Sequence, residues 1–326
     1  MRVLLVADRS PANFVTTDYE LLASHYQVNW IKFRWTPAVV RRVISEARRA
    51  DLIFGWFASH HTVLPTFLGR TLRKKVVIAA ADYDLANEPW FKYGSMRGGV
   101  RAAVNNYILS RADLVLVPSA FSQAMALRNT VLKRMPDKLR ILPLGFADWW
   151  KAPRQKERKI VTVGEVNQEN WIRKGHREFV EVTKRLGGVP AYLVGRPGED
   201  DYLEVVRRMA PPNLAVTGYV AAAELQDLLS RTWSYLQLSF MEGFGAAVAE
   251  AMLARCVPVV THQGSLPEVV GDTGYYADYG DIESACTATR TALDDRGLGD
   301  RARERVLDLF PLERRRRELL HVLASL

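Results

Sequence analysis

Apolar residues occur along the chain in short β-branched and aliphatic runs, separated by longer segments with helical periodicity. In the first half, helical patterns cover 38–49 and 121–135, and Ser119 is a candidate N-cap for the second of these. Six apolar runs there predict strands, at 3–7, 28–33, 52–55, 76–80, 114–117 and 139–142. Strands that alternate with helices are typical of a parallel sheet covered by helices on both faces.

The alternation stops at 151–159, a polar stretch without apolar periodicity that predicts an interdomain linker. It then restarts, with strands predicted at 160–163, 192–194, 214–216, 235–238 and 258–261 and helices at 177–186, 202–209, 222–229 and 246–254. We therefore predict two Rossmann-like doubly wound α/β domains, residues 1–150 and 160–310. A C-terminal helix at 311–326 is expected to pack back on the N-terminal domain. Two such domains that face each other place a ligand site in the cleft between them, at the carboxyl ends of the strands.

Composition narrows the class of protein. The chain has 326 residues, of which 48% are hydrophobic and 25% charged, so a disordered chain, a coiled coil and a collagen are excluded. No uncharged apolar run approaches the roughly 18 residues that span a bilayer. The N-terminus resembles a first strand and not a signal peptide, and the two cysteines form no CxxC pair. These features predict a cytoplasmic protein.

Positive charge is concentrated in the first half. Residues 1–150 hold 21 Lys and Arg against 11 Asp and Glu, a net charge of +10, whereas residues 151–326 hold 24 against 25. This asymmetry predicts an anionic partner for the N-terminal domain, with a solvated basic face as the alternative. This anionic partner could be a phosphorylated or lipid-linked acceptor, or an anionic membrane surface. Nucleic acid is not expected, because the basic residues lie in scattered pairs without an aromatic platform or binding motif.

A strand, a glycine-containing loop and a helix follow one another at 236–254. Gly243 and Gly245 allow a sharp turn and close approach of a ligand to the backbone. The helix start offers free N–H groups and a positive dipole end, which suit a phosphate or a sugar oxygen. Glu242 lies in the loop, and Glu250 lies eight residues later in the helix. Because a carboxylate can accept two hydrogen bonds from a vicinal diol, one sugar nucleotide could span both glutamates.

The sequence Glu242-Gly243-Phe244-Gly245 followed by Glu250 resembles the donor-site signature of retaining glycosyltransferases with the GT-B fold, family 4 (group 1). Further segments are similar to the same family in the same order, at 112–119, 141–145, 213–220, 258–260 and 266–272. The resemblance is good over 112–283 and weak over 1–111. It implies a nucleotide-diphosphate-sugar donor in the second domain and an acceptor in the first. It also implies retention of anomeric configuration, with no metal or other cofactor.

Carried over to this sequence, the resemblance implies that Glu250 holds the nucleotide ribose and that Glu242 contacts the transferred sugar. Lys174, with Arg173 beside it, would neutralise the diphosphate. The remaining donor positions are Gly164, Gly195, Tyr219, Val220, Gly243, Phe244 and Gly245, with the amides of Phe244 and Gly245 facing the sugar or phosphate. Fixed cations stabilise the departing diphosphate, and acceptor attack beside it requires no enzyme nucleophile.

Three departures from the family pattern concern the site. Gly164 is followed by Glu165 where the family usually has Arg, so Arg173 is expected to supply the missing cation. Arg255 and Cys256 stand where a Gly is usual. The usual histidine after the fourth strand is absent, and Asp82 is the predicted substitute, as base or sugar contact, with a turn or cap residue as the alternative reading.

Four further residues are predicted to line the acceptor side, namely Asp8, Ser10, His60 and His61. Adjacent residues in a strand point to opposite faces, so a metal shared by His60 and His61 is not expected. Asp82-Tyr83-Asp84 spells D-x-D, a metal–diphosphate motif of another glycosyltransferase fold, but one such match is expected by chance in a chain of this composition.

Two other classes of activity stay open. One is a different enzyme on the same architecture, a nucleotide-sugar epimerase or a sugar phosphorylase. The other is a degenerate transferase that binds the nucleotide without turnover, an idea that the missing Arg and His favour. A dehydrogenase is disfavoured, because no G-x-G-x-x-G motif follows the first strand.

Overall fold

The computed structural model describes residues 1–8, 12–148 and 155–326, which divide into two compact units. The first unit consists of Met1–Gly145 together with Glu313–Leu326, and the second of Phe146–Leu312. Each contains one six-stranded sheet, and within the described residues neighbouring strands of each sheet pair in parallel. The predicted fold class of two doubly wound parallel sheets is confirmed.

The sheet of the first unit uses the strands that the apolar runs predict. They are β1 (Arg2–Ala7), β2 (Gln27–Lys32), β3 (Leu52–Trp56), β4 (Lys75–Ala79), β5 (Leu114–Val117) and β6 (Leu139–Ile141), in the order β2-β1-β3-β4-β5-β6. Residues 3–7 of β1 are all buried, because helices cover both faces of a parallel sheet. This double burial explains why the strands were visible as continuous apolar runs.

Six helices connect these strands. They are α1 (Asn13–Ala23), α2 (Pro37–Arg49), α3 (His60–Thr71), α4 (Asp82–Leu85), α5 (Gly99–Arg111) and α6 (Ala120–Asn129). Ser119 caps α6 as predicted, since its side chain accepts a hydrogen bond from the Ser122 amide at 3.0 Å. The helix predicted at 121–135 is too long: α6 ends at Asn129, and Thr130 then caps a separate 3₁₀ turn at Val131–Arg134.

The sheet of the second unit repeats the pattern. Its strands are β7 (Glu157–Val163), β8 (Ala191–Val194), β9 (Leu214–Gly218), β10 (Thr232–Gln237), β11 (Val257–Thr261) and β12 (Tyr275–Ala277), in the order β12-β11-β10-β7-β8-β9. Its helices are α7 (Gln168–Arg173), α8 (His176–Arg185), α9 (Tyr202–Met209), α10 (Ala222–Arg231), α11 (Ala246–Leu253), α12 (Leu266–Val270), α13 (Ile282–Asp294) and α14 (Leu298–Leu309). The carboxyl ends of β7, β8 and β10 are therefore neighbours.

The predicted linker at 151–159 is too long at its C-terminal end. Residues 151–154 lie outside the described part of the chain, but β7 already begins at Glu157. Charged residues suggested solvated chain, yet Arg158 donates to the Leu293 carbonyl at 3.1 Å and Lys159 is buried. Lys156 likewise donates to three backbone carbonyls. Composition alone places these charged side chains in solvent. In the structure, groups far away along the chain bind them instead.

The last helix, α15 (Leu312–Ala324), lies mostly in the first unit. Its Arg315 is 3% exposed and forms two hydrogen bonds to Asp18 in α1, of 2.6 and 2.7 Å. Arg315 also donates to the carbonyls of Leu142 and Pro143. Trp56 donates to the same Asp18 carboxylate at 3.0 Å. A buried charge is tolerated when its hydrogen-bonding capacity is used in this way.

Among the described residues, no helix is both long enough and apolar enough to cross a membrane.

Candidate functional site

The loop between β10 and α11 holds Glu242 in a buried polar cluster. Its Oε1 accepts hydrogen bonds from Lys174 Nζ at 2.8 Å, from Ser239 Oγ at 2.9 Å and from Gln237 Nε2 at 3.2 Å. Burial by itself would raise the pKa of Glu242, but the charges of Lys174 and Arg173 hold that pKa below its usual value. The carboxylate is therefore ionised at neutral pH, and it is ready to accept further hydrogen bonds.

Two serines support this loop, and sequence reasoning identified neither of them. Ser239 hydrogen-bonds the Glu242 side chain. Ser265 holds the backbone, because its amide and its hydroxyl both donate to the Glu242 carbonyl at 2.9 Å. Ser239 was detectable in principle, since it follows the apolar run of β10. The contribution of Ser265 depends on a contact 23 residues away along the chain.

Lys174 reaches the cluster from the end of α7. Arg173, the last residue of that helix, is buried and donates to Asn170 Oδ1 at 2.6 Å. The Arg173 carbonyl accepts a hydrogen bond from the Phe240 amide at 2.8 Å, which ties the turn to the Glu242 loop. The structure thus brings together three of the predicted donor residues, with two cations beside one carboxylate.

Glu250 lies on α11, which begins directly after Gly245. Gly245 has φ +85°, a conformation that glycine adopts without strain and that turns the loop into the helix. Burial raises the pKa of Glu250 to about 7. Gly243 lies in the same loop, while the Phe244 ring packs between Phe146 and Phe310. The Phe244 ring is thus part of the packing, and a contact of its amide with a ligand stays a prediction.

Gly164 and Gly195 are in close contact at the ends of β7 and β8. A Cβ atom added to Gly195 would lie 1.7 Å from the Gly164 carbonyl oxygen, so no larger residue fits there without a backbone shift. The glutamate that follows Gly164 is neutralised locally. Glu165 accepts from Arg196 Nε at 2.7 Å and from Asn167 Nδ2 at 2.9 Å. Arg196, which directly follows Gly195, is a further cation at this edge that sequence reasoning missed.

His176 is another residue that the sequence did not single out. It begins α8 directly after the Lys174-Gly175 turn and is fully buried. Neither of its ring nitrogens has a hydrogen-bond partner among the described residues. Burial, with the nearby charges of Lys174 and Arg173, lowers its pKa to about 3. The imidazole is therefore neutral and adds no charge to the cluster.

Tyr219 and Val220 follow the carboxyl end of β9. The Tyr219 side chain is 75% exposed, which leaves its ring free to meet a flat ligand. Gly218 before it has φ +75°.

In the first unit, Asp82 begins α4 and is half-buried. Asp84 is buried, and its carboxylate accepts from the Ala58 amide at 2.9 Å. Burial raises the pKa of Asp84 to about 7 against the opposing effect of the Ala58 and Ala81 amides. Since these amides occupy Asp84, the D-x-D sequence does not present two carboxylates to solvent.

The geometry assumed for His60 and His61 is wrong. They do not extend a strand, but form the first turn of α3, capped by Ser59. One ligand atom from each, with one from Asp8, lies within 4.8 Å of the others. Burial lowers the pKa of His61, which is therefore neutral at pH 7. Ser10, predicted with them, lies outside the described residues.

Comparison with known proteins finds a family match within the second unit. Residues 157–295 match the family model of glycosyl transferases group 1. The chain is thus similar to group 1 glycosyl transferases over less than half of its length. The matched range contains Lys174, Glu242 and Glu250, so the buried cluster lies inside it.

Curated relatives match the chain over short stretches. The O-antigen chain mannosyltransferase B of Escherichia coli is 36% identical over 109 residues, which are 32% of this chain and 29% of that protein. The N-acetyl-alpha-D-glucosaminyl L-malate synthase of Bacillus anthracis is 36% identical over 94 residues, or 27% of this chain and 25% of that protein. The chain thus spans less than a third of the length of these two relatives.

Solved structures resemble the whole chain in fold. The Anabaena protein HepE, crystallised with UDP and glucose, superposes with a TM-score of 0.82 and 17% identity over 100% of both chains. Sucrose-phosphate synthase of Thermosynechococcus elongatus gives a TM-score of 0.79 and 17% identity, over 100% of this chain and 98% of the other. At such identity the likeness concerns the fold, and it confirms the predicted GT-B class.

Proposed function

We propose that the protein is a glycosyltransferase that moves a sugar from a nucleotide-diphosphate sugar to an acceptor hydroxyl. The observation that carries the proposal is the contact of Lys174 with Glu242, 2.8 Å apart at the start of the loop that leads to α11. A cation for the diphosphate and a carboxylate for the sugar are the two groups that this substrate requires. Both lie inside the domain that matches the group 1 family.

The donor is assigned to the second unit. Lys174 and Arg173 would balance the two negative charges of the diphosphate, and the exposed Arg196 adds a third cation nearby. The N-terminus of α11 would contribute amide donors and about half a positive charge. Glu250 would accept from the ribose hydroxyls, and Tyr219 would lie against the base. Because protein cations neutralise the phosphates, we propose that donor binding needs no metal. HepE was crystallised with UDP-glucose, so uridine diphosphate sugars, hexoses first, are the donors to test.

We propose that the transfer retains anomeric configuration. As the sugar–phosphate bond breaks, negative charge develops on the leaving diphosphate, and fixed cations lower the energy of that state. The acceptor hydroxyl attacks from the same face as the departing phosphate, which can take up its proton. Asp82 of α4 is the proposed acceptor contact on the first unit, where the family usually has a histidine.

The acceptor is proposed to be phosphorylated or lipid-linked, and the protein to bind the cytoplasmic face of a membrane peripherally. A hairpin of the first unit supports this. Glu88 and Tyr93 exchange two backbone hydrogen bonds of 3.0 Å, so the tip between them projects Trp90, which is 89% exposed. Lys92 lies in the same tip. An exposed indole beside basic groups is typical of a surface that meets anionic lipid headgroups.

Incubation of the protein with a panel of nucleotide-diphosphate sugars tests the activity. A thermal-shift screen first selects the donor, since a ligand at about 100 times its dissociation constant adds roughly 2.7 kcal/mol of stability. The selected donor is then incubated alone and with candidate acceptors. We expect nucleotide diphosphate and a glycosylated acceptor whose anomeric configuration matches the donor.

The other outcomes assign the rival activities. An epimerase would convert the donor sugar without an acceptor, and a phosphorylase would require inorganic phosphate. A degenerate binder would show the thermal shift without any donor breakdown. Glu165 at the usual arginine position is the observation that favours such a binder, although Arg196 compensates its charge.

A further inference from the structure

Three ligand-type side chains of the first unit meet at one edge of its sheet. Asp8 directly follows β1, and His60 and His61 begin α3 after β3, the neighbouring strand. One carboxylate oxygen and one nitrogen from each ring lie within 4.8 Å of one another. The carboxyl ends of adjacent parallel strands lie side by side, which explains how residues about 50 positions apart converge. None of the residues assigned to the donor belongs to this group.

The His61 ring makes the hydrogen bond that metal-bound histidines usually make with their second nitrogen. Its Nε2 lies 2.7 Å from the Trp56 carbonyl oxygen, and it must donate to that oxygen. The lone pair is thereby placed on Nδ1, which is buried and has no hydrogen-bond partner among the described residues. The residue as a whole is 2% exposed. A histidine that binds metal almost always donates its other ring N–H to a carbonyl or carboxylate in this manner.

The turn before these histidines is held in a strained conformation. Phe57 has φ +69°, which is unusual for a bulky residue. Its amide donates to the Ala79 carbonyl at 2.7 Å, and its own carbonyl accepts from Thr62 Oγ1 at 2.7 Å. The Ser59 amide donates to the same Thr62 hydroxyl at 3.1 Å. Strain that is held by so many contacts concentrates at functional sites, and here it fixes the start of α3.

From this geometry we propose that Asp8, His60 and His61 form a binding site for a divalent transition metal such as Zn²⁺. Two imidazole nitrogens and one carboxylate oxygen are a donor set that suits first-row metals. Zinc would hold the three atoms at about 2.0–2.2 Å and leave a fourth position open to water or to an oxygen of a substrate. Asp8 and His60 are exposed, whereas His61 is buried. The proposal is independent of the donor assignment.

Metal binding by the full chain, stripped with a chelator and without any donor, tests the site. Titration with Zn²⁺ by calorimetry and with Co²⁺ by visible absorption should show one equivalent bound. Asp8→Asn and His60→Ala alter exposed side chains, so these variants should fold, which thermal melting checks. Each should weaken binding by at least about tenfold, since even loss of a hydrogen-bond partner of a metal ligand costs about 10–100-fold in metal affinity. His61→Ala should abolish binding, but it is interpreted only if the variant folds.

His25→Ala is the matched control, because His25 is also an exposed histidine of the first unit. It should bind metal like the wild type. The proposal is overturned if the wild-type protein binds no stoichiometric metal, or if the folded Asp8 and His60 variants bind it as tightly as the wild type. Donor affinity measured with and without chelator separates this result from the donor assignment, which predicts no change.

Discussion

Lys174 Nζ lies 2.8 Å from Glu242 Oε1, although 68 residues separate the two along the chain. Both side chains are largely buried, with 20% and 7% of their surface exposed. Their contact keeps an ionised carboxylate inside the second unit and places an ammonium group at the end of β7. A substrate with negative phosphates and sugar hydroxyls would engage both groups at once.

Replacement of Lys174 by alanine should weaken donor binding. Loss of one cation at the diphosphate is expected to raise the dissociation constant by at least about tenfold, or roughly 1.4 kcal/mol. Calorimetric titration with the donor selected by thermal shift measures this dissociation constant. Lys184→Ala is the control, since Lys184 is an exposed lysine paired with Glu181 on the neighbouring α8. Equal affinity of the Lys174 variant and the wild type would show that the diphosphate binds elsewhere.

The same variant should be less stable. Removal of one partner from a buried ion pair leaves an uncompensated charge, at a cost of about 3–5 kcal/mol. The pKa of Glu242 is held low in the folded protein, so its contribution is present above pH 4.5 and lost as the pH falls through the lower folded value. Urea unfolding at pH 7 should show the loss. Adding Glu242→Gln to the Lys174→Ala variant should restore most of the lost stability, because the unpaired charge is then removed. If the double variant stays unstable, the loss has another source.

Donor affinity should depend on pH through Glu250. Burial raises the pKa of Glu250 to about 7, so the carboxylate that accepts from the ribose diol is replaced by a neutral carboxyl as the pH falls below 7. The dissociation constant of the donor should therefore rise between pH 8 and pH 6. In Glu250→Gln this dependence should disappear and the affinity should be low throughout. Calorimetric titrations at several pH values measure the donor affinity of both proteins. If the affinity of the variant depends on pH as strongly as that of the wild type, Glu250 is not the cause of the dependence.

Stability gives an independent check on Glu250. A raised folded pKa means that its stabilising contribution is complete below pH 4.5 and lost as the pH rises through about 7. Glu250→Gln should thus unfold at a higher temperature than the wild type at pH 8 and at a similar temperature near pH 5. Asp84, whose pKa is also about 7, is present in both proteins and cancels in the comparison.

The contact of Arg315 with Asp18 should hold α15 on the first unit. Arg315→Ala would leave the Asp18 carboxylate buried beside Trp56 without its cation, which costs about 3–5 kcal/mol. Chemical denaturation measures the effect. Arg317→Ala, an exposed arginine of the same helix, should change the free energy of unfolding by less than about 0.5 kcal/mol. Similar effects of the two substitutions would mean that the buried pair does not anchor the helix.

Binding to anionic vesicles should depend on the 88–93 hairpin. Trp90→Ser should lower the bound fraction in co-sedimentation with phosphatidylserine-containing vesicles. Lys92→Ala should cost about 1 kcal/mol, or roughly fivefold in affinity at low salt. Trp35→Ser is the control, since Trp35 is 58% exposed in the same unit but lies outside the hairpin. Equal loss in both tryptophan variants, or no vesicle binding by the wild type, would contradict a role for the hairpin at a membrane.

The boundaries of most strands were predictable, and the reason is local. Residues 3–7 and 114–117 are buried on both sides of a parallel sheet, so their apolar character is continuous and visible in one dimension. The start of β7 was missed because Arg158 and Lys159 are charged. Their partners, Leu293 in the case of Arg158, come from other parts of the sequence.

In the candidate site, too, the residues that lie close together along the chain were predictable and the others were not. Glu242, Gly245 and Glu250 belong to one strand–loop–helix segment, so their spacing places them together wherever that segment folds. Arg196, Ser265 and His176 were not found, because no short pattern links them to the Glu242 loop. The histidine pair was assigned to the wrong local geometry, since nothing in His60-His61 itself distinguishes the end of a strand from the first turn of a helix.

By itself, the sequence determined the alternation of strands and helices, the two-domain organisation and the glutamate spacing, because each depends on residues that are neighbours along the chain. Tertiary structure alone decided which charges meet: Lys174 with Glu242, Arg196 with Glu165, and Arg315 with Asp18 across 297 residues. The physical reason is that a charged side chain carries no information about its partner. Only the packing of the helices on the sheets brings the two groups within hydrogen-bonding distance and removes the water between them.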